Sequence, residues 1–341
     1  MTVVFRVLAP GALTTVQDLG RPGYARVGIP RGGACDQEAA VLANQTLGND
    51  AGAPVLEITF AAPVLEVLAP TVIAVSPGPV VLAGGEPLSP FVPYLVRPGD
   101  RISGPGGPVA SAWRSMRAYL AVLGGFDVPN VLGGRGTYLP AALGGLAGRA
   151  LQAGDTLAAP PAGEREISTA MQRPGLPVPA DFAPPPGAPW ILRFIWGPDV
   201  RMFDRTTRWR FVHTLYQAAP ESDRTGIRLS GERIVPQAKG VPSGGVTTGT
   251  LQVPPEGNPI LLLPDHQTTG GYPVIGVVIN QDLPKLGRIT PQDRIMFVPV
   301  ALGRKAHMAP RFWRVSVGGQ YYSVAIWEES TSTGAKGSKA T

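Results

Sequence analysis

A histidine flanked by a carboxylate, an amide and hydroxyls stands in the segment 264-PDHQTTGGYPVIG-276, directly after the apolar run 259-PILLLP-264. Such neighbours suit proton exchange near neutral pH, or orientation of a carbonyl by a neutral ring N–H, with Asp265 or Gln267 fixing the tautomer. A buried strand end is a rigid platform, so Asp265, His266, Gln267, Thr268 and Thr269 are candidates for a fixed constellation. The same residues also suit a plain turn in which Thr and Asp satisfy backbone groups and Gly270-Gly271 makes the bend.

A second polar segment, 14-TTVQDLGRPGYARVGIPRGGACD-36, presents Gln17, Asp18, Arg21, Tyr24 and Arg31 among glycines. Glycines let backbone N–H groups approach an anion, and arginine offers a planar fork for a carboxylate. The alternative is a long loop held by an internal Asp18–Arg21 pair. Gln252 either reaches the same cleft as His266 or belongs to a hairpin. Ser222, Asp223, Arg224 and Arg228 either line a cleft or, the stronger expectation, are surface charge. His213 alternates with Trp209, Phe211 and Leu215 and is expected on a strand over 209–217, in a packing or surface role. Cys35 is expected to be a small buried or loop residue rather than a nucleophile.

These segments need a scaffold, and the chain supplies one rich in short strands. Its 341 residues lead us to expect two compact units. The 44 glycines and 38 prolines lie between apolar runs without any period, which points to many strands and turns rather than a collagen-like chain. From Val55 to Ala158 the strands follow so closely that an antiparallel barrel or sandwich is expected, not βαβ units. One helix is clear at Gln37 to Leu47: Asp36 can cap it and Gly48 can end it. Another is expected to open near Asp199. A turn pattern recurs at 96-VRPGDRI-102, 151-LQAGDTL-157 and 289-ITPQDRI-295, hinting at similar barrels in both halves. The expected divisions are 1–160, a Pro-rich linker at 161–189, a second unit at 190–329 ending in a hairpin across Gly318-Gly319, and a disordered tail at 330–341.

Composition sets further bounds. The net charge of +6 is modest and dispersed, which argues against nucleic-acid binding. A single cysteine excludes an internal disulfide and favours a reducing compartment, so the cytoplasm is the expected location. No export signal or membrane-length apolar run is seen. There is no glycine-rich phosphate loop, no G-x-G-x-x-G after a strand and no H-E-x-x-H; with three scattered histidines, no metal and no cofactor are expected on this chain alone.

The stretch 8-LAPGALTTVQDLGRPGYARVGIPRGGACDQEAAVLANQTLGN-49 resembles the opening of the family of 5-oxoprolinase C subunits, also called the second allophanate-hydrolase or biotin-dependent carboxyltransferase subunit, and of the related carboxyltransferase part of urea carboxylase. Similar stretches follow in order at 124–155, 222–231 and 247–273, so that the resemblance spans about residues 3 to 300. It departs at His266, where the family more often has arginine, and at Cys35, where methionine is commoner. The resemblance implies a mainly β fold of two cyclophilin-like β-barrel domains with a few short helices. It implies a stable partner, the B subunit of 5-oxoprolinase, and a further A subunit, with ATP and Mg used by the complex to open 5-oxoproline to glutamate. It makes 17-QDLGR-21 and 265-DHQTTGGY-272 the segments that bind the carboxylate and carbonyl, adding Tyr272 to the contacts expected from Gln17, Asp18, Arg21, Gln252 and Thr269. Two other family roles are a carboxyltransferase component using carboxybiotin on urea or a similar amide, and a regulatory protein that antagonises a histidine-kinase inhibitor.

Overall fold

The computed structural model describes residues 1–79, 81–104, 115–237, 240–301, 309–317 and 320–328. In the N-terminal half the strands form two antiparallel sheets. One has the order Thr156–Ala159, Thr2–Ala9, Val64–Val67, Arg101–Ser103, Leu82–Ala83, Glu86–Pro87; the other has Leu13–Gln17, Val55–Thr59, Arg117–Val122, Thr71–Val75, Tyr94–Val96. Side chains alternate across a strand. Leu56 and Ile58, with Ala118, Leu120 and Val122, therefore fill a core shared by both sheets. Val55, Tyr119 and Ala121 turn to the opposite face, where helix α1 (Gln37–Leu47) packs. Helix α1 begins and ends as its sequence indicates: Asp36 accepts the Ala39 amide at 3.0 Å, and Gly48 closes it in a left-handed conformation.

The recurring turn is a structural repeat. Asp100, Asp155 and Asp293 each accept the amide three residues earlier, from Arg97 at 2.7 Å, Gln152 at 2.7 Å and Thr290 at 2.8 Å. Each turn launches a strand: Arg101–Ser103, Thr156–Ala159 and Arg294–Pro299. The segment 161–189 that joins the halves is itself packed. It carries helix α2 (Glu164–Met171), and Ala170 and Phe182 enter the cluster under α1.

The C-terminal half is a closed seven-stranded barrel in the order Trp190–Trp196, Val274–Val278, Thr250–Gln252, Ile260–Leu262, Gly226–Ser230, Tyr216–Ala218, Arg294–Pro299. It closes where Trp190 to Phe194 pair with Ile295 to Pro299, the one parallel pairing among the described residues. A short 3-10 turn at Val200–Met202 follows Asp199, and then helix α3 (Arg205–His213) corrects the strand expected over 209–217. The alternation of Trp209, Phe211 and His213 imitates a strand, but Asp204 accepts the Thr207 amide at 2.6 Å and caps a helix instead. Phe211 is buried, stacked on Phe297 with centroids 5.1 Å apart, while Trp209 is exposed and stacks on His213 one turn later. Strand pairing resumes only at Tyr216–Ala218.

A short helix, α4 (Leu283–Arg288), returns the chain toward the N-terminal half. Strands Ala309–Val317 and Gln320–Glu328 pair as the final hairpin. Its Gly318-Gly319 turn and the tail at 330–341 lie outside the described residues. No helix among the described residues is long and apolar enough to cross a membrane.

Candidate functional site

The two halves meet at a cleft of about 420 Å³ whose walls come from both polar segments of the sequence. Gly32 and Cys35 lie on one side; Pro264, His266 and Thr268 lie on the other, with Thr248 beside them. Both turns have local causes. Gly33 is left-handed, and a Cβ there would stand 2.6 Å from the Gly20 nitrogen; the close return of this loop onto residues 18–20 therefore requires glycine. The 264–268 turn leaves the buried strand Ile260–Leu262, and the His266 amide donates back to the Leu263 carbonyl at 3.0 Å.

Behind the cleft is a buried charge cluster centred on Arg224, which is 4% exposed and not the surface charge expected from the sequence. All five of its N–H donors are engaged. Nε and Nη2 grip the Asp265 carboxylate at 2.8 and 3.0 Å, Nη2 also reaches the Gly33 carbonyl at 2.8 Å, and Nη1 bonds Glu57 and the Cys35 sulfur. Glu57 belongs to the strand Val55–Thr59 of the other half. Strand alternation turns it away from the apolar core, toward Arg117 at 3.5 Å and the Tyr119 hydroxyl at 2.7 Å. One guanidinium thus joins a carboxylate of each half, a task suited to the planar arginine fork.

The electrostatics follow from burial and these pairs. Burial alone would push the Glu57 carboxyl up, but Arg224 and then Arg117 outweigh it and hold it below the ordinary glutamate value. The Cys35 thiol is pushed up to about 12, chiefly by burial, so it stays protonated and unreactive at neutral pH. Burial also pulls the His266 imidazole below the ordinary histidine value, which makes it neutral at physiological pH. Its Nδ1 lies 2.5 Å from the Gln267 carbonyl, an acceptor only, so Nδ1 carries the proton and Nε2 keeps a free lone pair. An NMR titration of the imidazole is expected to show a midpoint below that of free histidine; a midpoint above it would remove the neutral base from this site.

The structure brings together some of the expected site residues and separates others. His266 and Thr268 line the cleft opposite the Gly32–Cys35 turn, while Asp265 is buried behind it on Arg224. Gln267 donates to Gln252 Oε1 at 3.1 Å, which ties Gln252 to this segment. Gln17 and Asp18 are buried and do not line the cleft. Gln17 donates to Thr15 and to the Thr137 carbonyl, both at 3.0 Å, and Asp18 accepts the amides of Gly20 at 2.7 Å and Arg135 at 2.6 Å. Asp18 therefore does not form the internal pair with Arg21, whose side chain bonds the carbonyls of Val131 and Gly136. Thr269 pairs with Gly245 in a short two-stranded sheet, and Tyr272 is 43% exposed. Glu57, Arg117 and Tyr119 were not anticipated. Their signal was the charge in the middle of 55-VLEIT-59, because a carboxylate within a fully buried strand needs a buried cation. No cluster of three or more metal-ligating side chains is found among the described residues.

With this geometry in place, the chain can be compared with known proteins. Residues 27–299 match the family of the carboxyltransferase domain, subdomain A and B. The chain is 35% identical over 311 residues to the 5-oxoprolinase C subunit of Escherichia coli (strain K12), spanning 88% of this chain and 92% of that protein. It is 31% identical over 315 residues to the urea amidolyase of Lachancea kluyveri, spanning 87% of this chain and 17% of that protein. The crystal structure of the K. lactis urea amidolyase is similar with a TM-score of 0.76, at 31% identity, over 87% of this chain and 19% of that one. The chain thus spans less than a fifth of these urea amidolyases.

Proposed function

The chain belongs to the carboxyltransferase-domain family of subdomains A and B, and on that premise we propose that it is the C subunit of an ATP-dependent 5-oxoprolinase complex that opens 5-oxoproline to glutamate. The observation that carries this reading is the match to a 5-oxoprolinase C subunit over 92% of that protein's length. A lactam is a resonance-stabilised amide, so its C–N bond becomes labile only once the carbonyl is activated. In this reading the A and B subunits supply that activation with ATP and Mg, and the cleft of this chain holds the lactam or its activated form. The hydroxyls of Thr248 and Thr268 and the neutral His266 ring offer a small polar amide both donors and acceptors. The residue that moves a proton here is His266, through Nε2, beside the Asp265 carboxylate that Arg224 fixes.

A second reading has its own support: the 31% identity to urea amidolyase favours carboxyl transfer from carboxybiotin to urea or a similar amide. The two are separated by purifying this chain with its A and B partners, omitting each in turn, and measuring 5-oxoproline conversion with and without ATP. Turnover is expected to require all three subunits and ATP. A stable complex that leaves 5-oxoproline untouched would overturn the proposal in favour of carboxyl transfer or a regulatory role.

A further inference from the structure

Among the described residues two buried guanidinium nitrogens lack a hydrogen-bond partner: Arg117 Nε, which still faces the Glu57 carboxylate at 3.5 Å, and Arg21 Nη1, which faces no carboxylate that close. Arg21 is 1% exposed; its Nε donates to the Val131 carbonyl at 3.4 Å and its Nη2 to the Gly136 carbonyl, but its Nη1 meets no acceptor. Leaving a buried charged donor unsatisfied is costly, so the position calls for an occupant. Nearby stands a complementary group. Asp265 Oδ1 accepts a bond from Arg224 Nη2 at 3.0 Å, and a carboxylate oxygen has capacity for a further one.

The gap between them is marked by Gly32. A methyl placed on Gly32 would lie 3.7 Å from Arg21 Nη1 and 3.8 Å from Asp265 Oδ1, and beyond its chain neighbours would meet no other atom within 4 Å. Gly32 lines the cleft, and Asp265 is buried just behind it, between Pro264 and His266, which line it.

We propose that this slot reads one edge of a cis amide: Arg21 Nη1 donates to the carbonyl oxygen, and Asp265 Oδ1 accepts the adjacent N–H. A guanidinium only donates and an ionised carboxylate only accepts, so the pair admits the amide edge in a single orientation. A lactam ring and urea both present C=O and N–H side by side, whereas a trans peptide places them on opposite sides. Resting on the functional reading above, the slot adds which edge of the substrate is held and by what; no bond is made or broken by it.

The test measures binding to the chain in complex with its partner subunits, using 5-oxoproline, N-methyl-5-oxoproline and urea. N-methylation keeps the carbonyl and removes the N–H, and is expected to weaken binding to the unaltered protein by about tenfold or more. Gly32→Ala fills the slot and is expected to weaken the unmodified lactam by a similar factor. Gly28→Ala controls for backbone strain, because Gly28 is also left-handed (φ 85° against 62°) but has no atom within 4 Å of its added methyl. It is expected to bind as the unaltered protein does. Equal binding of the two lactams, equal losses in both glycine variants, or no binding of either lactam or urea overturns the slot. Urea binding that Gly32→Ala abolishes, with no lactam binding, supports the slot and identifies urea as its source. Turnover is scored separately: a complex that converts 5-oxoproline but ignores both N-methylation and Gly32→Ala refutes the slot and leaves the function standing.

Discussion

Replacing Arg224 with methionine is expected to remove about 3–5 kcal/mol of stability at neutral pH, because it strands two buried carboxylates without their shared cation. Glu57 and Asp265 are 1% and 3% exposed. Methionine fills most of the space and keeps none of the five hydrogen bonds; Glu57 would retain the Tyr119 hydroxyl at 2.7 Å and the Cys35 amide at 2.9 Å, but its one remaining cation would be Arg117 at 3.5 Å. The pH dependence has a definite sign. The Glu57 carboxyl is held below its ordinary value in the folded protein. Its contribution is therefore complete above the unfolded value and is lost as pH falls through the depressed folded value. In the variant burial is no longer offset, so the carboxyl rises and protonation relieves part of the cost. Urea unfolding should show the largest deficit at neutral pH and a smaller one in mild acid. A deficit below about 1 kcal/mol, the scale of an exposed pair, would show that the cluster is dispensable.

Arg288→Met is expected to cost about 3 kcal/mol or more by the same physics at a second contact between the halves. Arg288 bonds Asp36 through Nε at 2.6 Å and Nη2 at 3.2 Å, reaches Glu38 at 2.5 Å, and lies 4.0 Å over the Phe182 ring. Asp36 is at the same time the N-cap of α1, and it keeps that bond in the variant. Leaving the buried carboxylate without its cation nonetheless loosens the helix against α4. Together the two substitutions approach the whole stability of an ordinary domain, about 5–15 kcal/mol. The double variant is therefore expected to be largely unfolded by circular dichroism at room temperature; a folded double variant would show that apolar packing alone joins the halves.

The sequence makes local features legible and leaves long-range ones hidden. Helix α1 could be read because its Asp36 cap and Gly48 stop lie within its own segment. The same holds for the three Asp turns, each closed within four residues. Helix α3 was misread because alternating Trp209, Phe211 and His213 fit both periods over so short a span, and the deciding cap at Asp204 lay just upstream. Arg224 was misjudged for a different reason. Its decisive partner, Glu57, stands 167 residues away, and no spacing rule reaches that far. Part of the site was visible: the two polar segments do face one cleft. The distribution of labour within them was not, since Gln17 and Asp18 support loops while Arg21 retains an unsatisfied donor.

The parallel closure of the barrel bears on how the chain folds. Trp190 must find Ile295, so the first strand of this half, which also pairs with Val274–Val278, gains its second lateral neighbour only after roughly a hundred intervening residues have been ordered or looped out. Such a pairing has high contact order and forms late, after local pairs such as Tyr216–Ala218 with Gly226–Ser230. During synthesis the ribosome must therefore release the chain through Pro299 before the barrel can seal. Until then both edges of the sheet stand open to other chains.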